Sequence, residues 1–170
     1  ITDNGFLPIP SISSDLNIIC LDTLGNNGLV QFFDNSTGGG FPSWTFEGGT
    51  PAISTSNNPS IEYSSPGTYD VSLTVSNSSG TVTTVWEDYI VVYNNPITDF
   101  TVDEDTICLS SGNFGTVQFT NASTNETNYY WDFGDGDTSV SQNPSHTYDT
   151  AGTYMVSLIT SNPGCLADSI

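Results

Sequence analysis

Lysine and arginine are absent from all 170 residues, against 19 aspartates and glutamates, so the formal net charge is −19. With nothing to neutralise phosphates, nucleic acid is excluded as a partner. Docking to an anionic membrane is excluded on the same ground. No Lys or Arg salt bridge and no lysine-derived isopeptide crosslink can form, and a trypsin-like protease finds no site to cut. Such a surface suits a solvated protein outside the cell, where resistance to proteases is useful.

Other absences narrow the class further. No apolar run approaches the roughly 20 residues of a membrane span. The chain opens on Ile1-Thr2-Asp3-Asn4, with neither Met nor a signal-peptide pattern, as in a processed or excised segment. One histidine, His146, and three scattered cysteines offer no convincing zinc site or nucleophilic triad. Nothing sets two carboxylates across a cleft, as glycoside hydrolysis requires. An enzyme is not expected. Helical periodicity is missing as well.

What remains is rich in turn formers and short alternating runs. Ser, Thr and Asn make up more than a third of the chain, as in exposed, β-rich or glycosylated surface proteins. The most informative stretch is Tyr129-Tyr130-Trp131-Asp132-Phe133-Gly134-Asp135-Gly136. Trp131 and Phe133 alternate with Asp132, which sends the two rings to one face of a strand and the carboxylate to the other. Gly134-Asp135-Gly136-Asp137 then supplies the backbone freedom and side-chain bonds of a tight turn. An aromatic-anchored strand that ends in an Asp-Gly turn belongs in the middle of a β-sandwich.

The chain repeats itself. Ile19-Cys20-Leu21 matches Ile107-Cys108-Leu109, Val30-Gln31-Phe32 matches Val117-Gln118-Phe119, and Trp44-Thr45-Phe46 matches Trp131-Asp132-Phe133. Asn58-Pro59-Ser60 matches Asn143-Pro144-Ser145, and Pro66-Gly67-Thr68-Tyr69 matches Ala151-Gly152-Thr153-Tyr154. Landmarks held in order at an offset of about 85 to 88 residues mean tandem homologous domains. Each has the size of a small sandwich. The fold class is therefore all-β, two tandem immunoglobulin-like sandwiches. Strands are expected near residues 9–13, 17–21, 29–34, 42–46, 60–63, 67–76 and 81–93. In the second domain they are expected near 97–102, 106–109, 115–121, 128–133, 145–148 and 152–162. Tyr69 and Tyr154 stand where sandwiches often place a corner tyrosine.

The Trp131–Gly136 stretch resembles the WDFGDG signature of the polycystic-kidney-disease (PKD) domain. The run Asn143-Pro144-Ser145-His146-Thr147-Tyr148, followed by Ala151-Gly152-Thr153-Tyr154, is similar to the second half of that family's pattern. The resemblance implies an immunoglobulin-like extracellular module, of the kind carried by secreted or cell-surface proteins of Bacteroidota. PKD-like repeats of this kind close with an Asn-X-Gly-Cys ending, and Asn162-Pro163-Gly164-Cys165 fits it, which implies a Cys108–Cys165 disulfide. Thr81 stands where a partner for Cys20 would be, leaving Cys20 as a buried small residue or an intermolecular thiol.

The repeat is incomplete at one end. Residues 9–94 make a full sandwich, whereas 95–170 stop soon after Gly164, before a last strand like Tyr89-Ile90-Val91-Val92 can form. A sandwich without that strand exposes unpaired backbone and an open groove. Residues 1–8 precede the first recognisable strand with no evident job in their own domain. This extension is the candidate donor strand, and its assembly residues would be Ile1, Phe6, Leu7 and Ile9. On the acceptor side stand Leu166 and Ile170. Either one chain lends a strand to the next or the segment is one period of a longer array. Both give head-to-tail contacts between copies and hence a fibre.

Modification and metal readings are weaker. Sequons occur at Asn35, Asn77, Asn121 and Asn125, as chance alone predicts in so Asn- and Ser-rich a chain. Asp followed by Thr or Ser and then a small or apolar residue places O-glycosylation candidates at Thr23, Thr106, Thr150 and Ser169. This pattern resembles the O-glycosylation motif of secreted Bacteroidota proteins. Asp132, Asp135 and Asp137, and separately Asp103, Glu104 and Asp105, could offer Ca2+ some of the oxygens it needs. Turn formation explains them better, and no metal or other cofactor is expected. The expected function is structural, in an extracellular filament or adhesin stalk with glycans as possible additional partners. The alternative is a non-catalytic carbohydrate- or protein-binding appendage, with Tyr129, Tyr130 or Trp86 as its aromatic platform.

Overall fold

The computed structural model describes residues 5–21, 28–109 and 115–170. The chain divides into two compact units, Ile1–Asn94 and Asn95–Ile170. All regular structure among the described residues is β-strand.

Unit 1 contains β1 (Ile12–Ser14), β2 (Ile18–Leu21), β3 (Leu29–Asp34), β4 (Phe41–Phe46), β5 (Ile53–Ser54), β6 (Ser60–Glu62), β7 (Gly67–Asn77) and β8 (Gly80–Asn94). One sheet has the order β1-β3-β6 and the other β2-β8-β7-β4-β5. Strand β4 shows how the sequence makes its layer. Pro42, Trp44 and Phe46 are buried while Phe41, Ser43 and Thr45 are exposed, the period-two alternation of a half-buried strand. Trp44 and Phe46 stack with ring centroids 5.5 Å apart, and Phe32 from the facing sheet lies 4.7 Å from Phe46. Ile61, Val71, Leu73, Val75 and Ile90 complete the core.

Unit 2 contains β9 (Phe100–Val102), β10 (Gly115–Asn121), β11 (Asn128–Asp132), β12 (Thr138–Ser139), β13 (Ser145–Tyr148), β14 (Ser157–Ser161) and β15 (Asp168–Ser169). Its sheets run β13-β10-β9 and β12-β11-β14-β15. Trp131, Phe133 and Phe119 repeat the aromatic triad of unit 1, with Phe119 5.5 Å from Trp131 and 5.2 Å from Phe133. The indole N–H is satisfied identically in both units. Trp44 donates to the Ser56 carbonyl and Trp131 to the Ser141 carbonyl, each at 2.9 Å. A buried indole needs such a partner.

Both corner tyrosines are present. The Tyr69 hydroxyl donates to the Ser65 carbonyl at 2.9 Å, and the Tyr154 hydroxyl to the Thr150 carbonyl at 2.8 Å. Each bond ties the tyrosine back to the loop four residues upstream, Tyr69 within β7 and Tyr154 just ahead of β14.

Four strand expectations need correction. Residues 106–109 form no strand, although their counterparts in unit 1 are β2. The expected strand over 152–162 is regular only across Ser157–Ser161. At the chain entries, Ile9 and Ile97 make single bridges, to Thr37 and Thr124, rather than full strands. The first two differences both lie at the edge of unit 2.

Candidate functional site: the edge of the second sandwich

In unit 1, β8 is hydrogen-bonded on both sides. It pairs antiparallel with β7, where Gly67 faces Val92 and Tyr69 faces Ile90. It pairs parallel with β2, where Ile18 faces Val91 and Cys20 faces Tyr93. Its Ile90 and Val92 side chains seal the core between those neighbours. This strand makes β2 a strand and keeps the first half of β7 extended, because strand backbone groups need a partner.

In unit 2 the described counterpart of β8 is β15. β15 pairs with β14 over two positions, Ile159 with Ser169 and Thr160 with Asp168. Leu158 and Ile170 exchange both backbone bonds at 3.0 Å. Asp168 anchors this strand. Its carboxylate accepts the Thr98 N–H at 2.6 Å, and that bond holds its pKa below the usual carboxylate value. Beside it the hydroxyls of Thr98 and Thr160 meet at 2.6 Å in a buried pair.

Among the described residues no strand covers residues 152–156 or lies against 106–109. Unit 1 fills the corresponding place with Trp86–Asn94. The irregular backbone at 106–109 and 152–156 goes with the absence of a strand neighbour for either segment among the described residues. Met155 and Ile170 are 87% and 56% exposed here, while Leu166, in the turn at the far end of the β14–β15 hairpin, is 88% exposed. The floor is firm: a Cβ on Gly134, whose φ is +80°, would come within 2.6 Å of the Met155 carbonyl oxygen. The turn of the aromatic motif is thus packed directly beneath the open segment.

The other assembly residues lie on unit 1. Pro8 is buried, and the Asn77 side-chain amide donates to the Phe6 carbonyl at 2.8 Å and to the Gly38 carbonyl at 3.1 Å. Ile9 exchanges both backbone bonds with Thr37. The extension therefore does have contacts in its own unit, contrary to the sequence reading. Phe6, Leu7 and Ile9 nevertheless keep their side chains largely exposed. Ile1 lies outside the described residues, as does Thr23.

The Cys108–Cys165 bridge implied by the family resemblance does not form. Cys108 is exposed with a free thiol. Ile107 and Leu109 turn toward Gly115, where an added Cβ would meet both, so the residue between them faces outward. Cys20, read from sequence as either a buried small residue or an intermolecular thiol, is disulfide-bonded, as is Cys165.

The carboxylates of the aromatic motif form turns. Asp132 accepts the Gly134 N–H at 2.9 Å and Asp135 accepts the Asp137 N–H at 3.0 Å. His146, which sequence reasoning set aside, is built into this turn. Its Nε2 lies 2.7 Å from the Asp135 carboxylate, and its ring stacks on Phe133 at 4.2 Å. The hydrogen bond to His146 lowers the Asp135 pKa. Burial, with the Asp135 carboxylate nearby, pushes the Tyr148 hydroxyl up to about 12. Asp135, Asp137 and His146 bring one ligand atom each within 4.8 Å of one another. Asp103 likewise serves its own loop, accepting the Gln118 N–H at 2.8 Å and the Glu104 N–H at 2.9 Å.

The sequon asparagines hold internal partners: Asn35 the Ser13 hydroxyl, Asn77 the Phe6 carbonyl, Asn121 the Glu126 carboxylate and Asn125 the Asn95 carbonyl. Thr106, Thr150 and Ser169 are exposed. Tyr130 is 45% exposed, whereas Tyr129 and Trp86 are half-buried.

Two all-β units with paired sheets, an aromatic core and corner tyrosines define an immunoglobulin-like sandwich protein. A family profile described as the PKD domain matches residues 34–92 and again 93–168. The chain belongs to the PKD domain family. Among solved structures it is similar to one described as the structural basis for Dscam isoform specificity, at a TM-score of 0.49 and 13% identity over 95% of this chain and 44% of that one. It is also similar to the N-terminal four Ig domains of Dscam1 isoform 9.44, at a TM-score of 0.42 and 11% identity over 94% of this chain and 43% of the other. The chain thus spans less than half of each, and at these scores neither likeness bears on function.

Proposed function

We propose that this chain is a structural subunit or repeating segment of an extracellular filament or cell-surface adhesin stalk, assembled head to tail by strand complementation. One observation carries the reading: β8 lies between two neighbours in unit 1, while the corresponding segments of unit 2, residues 106–109 and 152–156, flank no strand among the described residues. A strand arriving there would be hydrogen-bonded on both sides, and its alternate side chains would cover the core beside Met155 and Ile170. Main-chain bonds supply affinity and alternate side chains supply specificity in such additions. PKD-type sandwiches suit a load-bearing role, and the basic-free composition suits a protease-rich exterior. The role calls for no cofactor or catalytic residue. O-linked glycans at Thr106, Thr150 and Ser169 are compatible with it.

Electron microscopy of native material, followed by intact mass under denaturing and reducing conditions, tests the proposal. Fibres releasing chains near 18.1 kDa plus sugars mean that strands pass between separate subunits. Fibres releasing only very long chains mean that the segment is one period of an array. Monomeric particles at the bare mass would sink the filament reading. They would favour the binding appendage, for which the exposed ring of Tyr130 is the specific support.

A further inference from the structure

One corner of unit 2 brings three metal-ligating side chains together from its two sheets. Asp135 and Asp137 lie in the turn between β11 and β12, and His146 lies on β13 in the facing sheet. One ligand atom from each falls within 4.8 Å of the others. Carboxylates alone would carry little weight in a chain with 19 of them. What points to a cation is the imidazole, the only one in the sequence. His146 is 9% exposed, and its ring is clamped between Phe133, stacked at 4.2 Å, and Tyr148, at right angles at 4.6 Å. The clamp aims Nε2 at Asp135 Oδ2, 2.7 Å away. Asp135 is oriented as well, because its Oδ1 accepts the Asp137 N–H at 3.0 Å and leaves Oδ2 facing the ring. Asp137 is exposed, so its carboxylate can turn toward the pair at little cost.

The fold does not require this arrangement. In unit 1 Ile61, fully buried, holds the place of His146, while Gly48 and Thr50 hold those of Asp135 and Asp137. Gly49 packs on Ile61 so closely that an added Cβ would come within 2.5 Å of it. Unit 1 therefore closes the same corner by aliphatic contact. Burying an imidazole there costs free energy that isoleucine does not, unless the ring nitrogens are engaged.

We propose that Asp135, Asp137 and His146 bind a first-row divalent transition cation of the Zn2+ class, which ties the turn after β11 to β13 across the two sheets of unit 2. Donor chemistry selects the metal. One imidazole nitrogen with two carboxylate oxygens suits Zn2+ and its neighbours, whereas Ca2+ seeks about six to eight oxygens. Bonds of about 2.0–2.2 Å to each atom need neighbouring ligand atoms roughly 3–3.5 Å apart. Nε2 and Oδ2 already stand near that spacing, and rotation of Asp137 supplies the third ligand. The cation takes the place of the proton between Nε2 and Oδ2, and the neutral imidazole keeps its own on Nδ1. Two carboxylates match the charge of the ion, and water completes the coordination on the exposed side. The inference concerns unit 2 alone and is independent of the head-to-tail reading.

The test uses the full chain, stripped with a chelator and titrated with zinc chloride, followed by calorimetry and by NMR of the imidazole protons. With one histidine in 170 residues, the ring signals are unambiguous. The expected result is one equivalent bound per chain, with the His146 signals shifted and the melting temperature raised by about 4 °C or more at saturation. Only the backbone of Asp137 serves the turn, through its N–H to Asp135 and its carbonyl to the Phe133 N–H. Asp137→Ala should therefore leave the metal-free melting temperature unchanged while weakening zinc binding about tenfold or more. His146→Ile, which installs the residue unit 1 uses, should abolish the site. Excess Ca2+ should not displace the zinc. Zinc that leaves the ring signals unmoved, or that binds both variants as well as the parent, is adventitious on surface carboxylates and overturns the inference. So does displacement by Ca2+, or the absence of binding at about 1 mM zinc, an affinity too weak to hold a structural ion.

Discussion

Two tyrosines at matching positions show how much one hydroxyl depends on its turn. Tyr148 in unit 2 donates to the Phe133 carbonyl at 3.0 Å. In unit 1 the matching carbonyl, on Phe46, is taken by the Gly49 N–H at 3.3 Å. Tyr63 is left with a buried hydroxyl that has no partner among the described residues, and burial raises its pKa. An unsatisfied buried group costs about 1–3 kcal/mol, while a made hydrogen bond contributes about 1 kcal/mol net. Tyr63→Phe should therefore leave unit 1 as stable or more stable, and Tyr148→Phe should destabilise unit 2 by about 1 kcal/mol. Chemical denaturation of each variant checks both signs, and equal losses would contradict the argument. Sequence alone could not separate the two, because the difference lies in a Glu-Gly-Gly turn against a Gly-Asp-Gly-Asp turn. The match of Trp44 with Trp131 was legible by contrast, because one side chain carries both the burial and the N–H requirement.

At the scale of the element, the aromatic strand and its turn were readable because alternation and turn chemistry are local. The open edge was only partly so. The sequence reading placed a strand over residues 106–109, which have no parallel neighbour among the described residues. That pairing joins positions far apart in the chain, as Ile18 and Val91 show in unit 1. The two-residue strands β5 and β12 also escaped, being too short to carry a period. The disulfide was misread because three cysteines allow several pairings and the family ending suggested the wrong one. The turn beneath the edge makes a sharper prediction. Gly134 and Gly136 both have positive φ, +80° and +103°, but only Gly134 is pressed against backbone, at Met155. Gly136→Ala should cost about 1 kcal/mol from backbone strain alone. Gly134→Ala should cost clearly more and alter hydrogen exchange at residues 153–157. Equal costs, by thermal or urea melts, would mean that the floor of the edge yields easily.

On the scale of the whole molecule, charge acts almost entirely against folding. A net charge of −19 repels itself, and the His146–Asp135 contact is the one ion pair among the described residues. Screening shortens the reach of charge from about 30 Å at 0.01 M salt to about 3 Å at 1 M. Stability should therefore rise with sodium chloride across that range, visible as an increase in melting temperature. A decrease would mean that the pair at His146 outweighs the repulsion of all the other carboxylates.

Among the described residues β8 of unit 1 is paired on both sides, while residues 106–109 and 152–156 of unit 2 flank no strand. Whatever joins copies through such an edge inherits a direction. The two tips of a fibre built this way are chemically different, one ending in a waiting groove and the other in a completed sandwich. Growth, capping and attachment to a surface can then each belong to a single tip, as they cannot in a fibre whose two ends are alike.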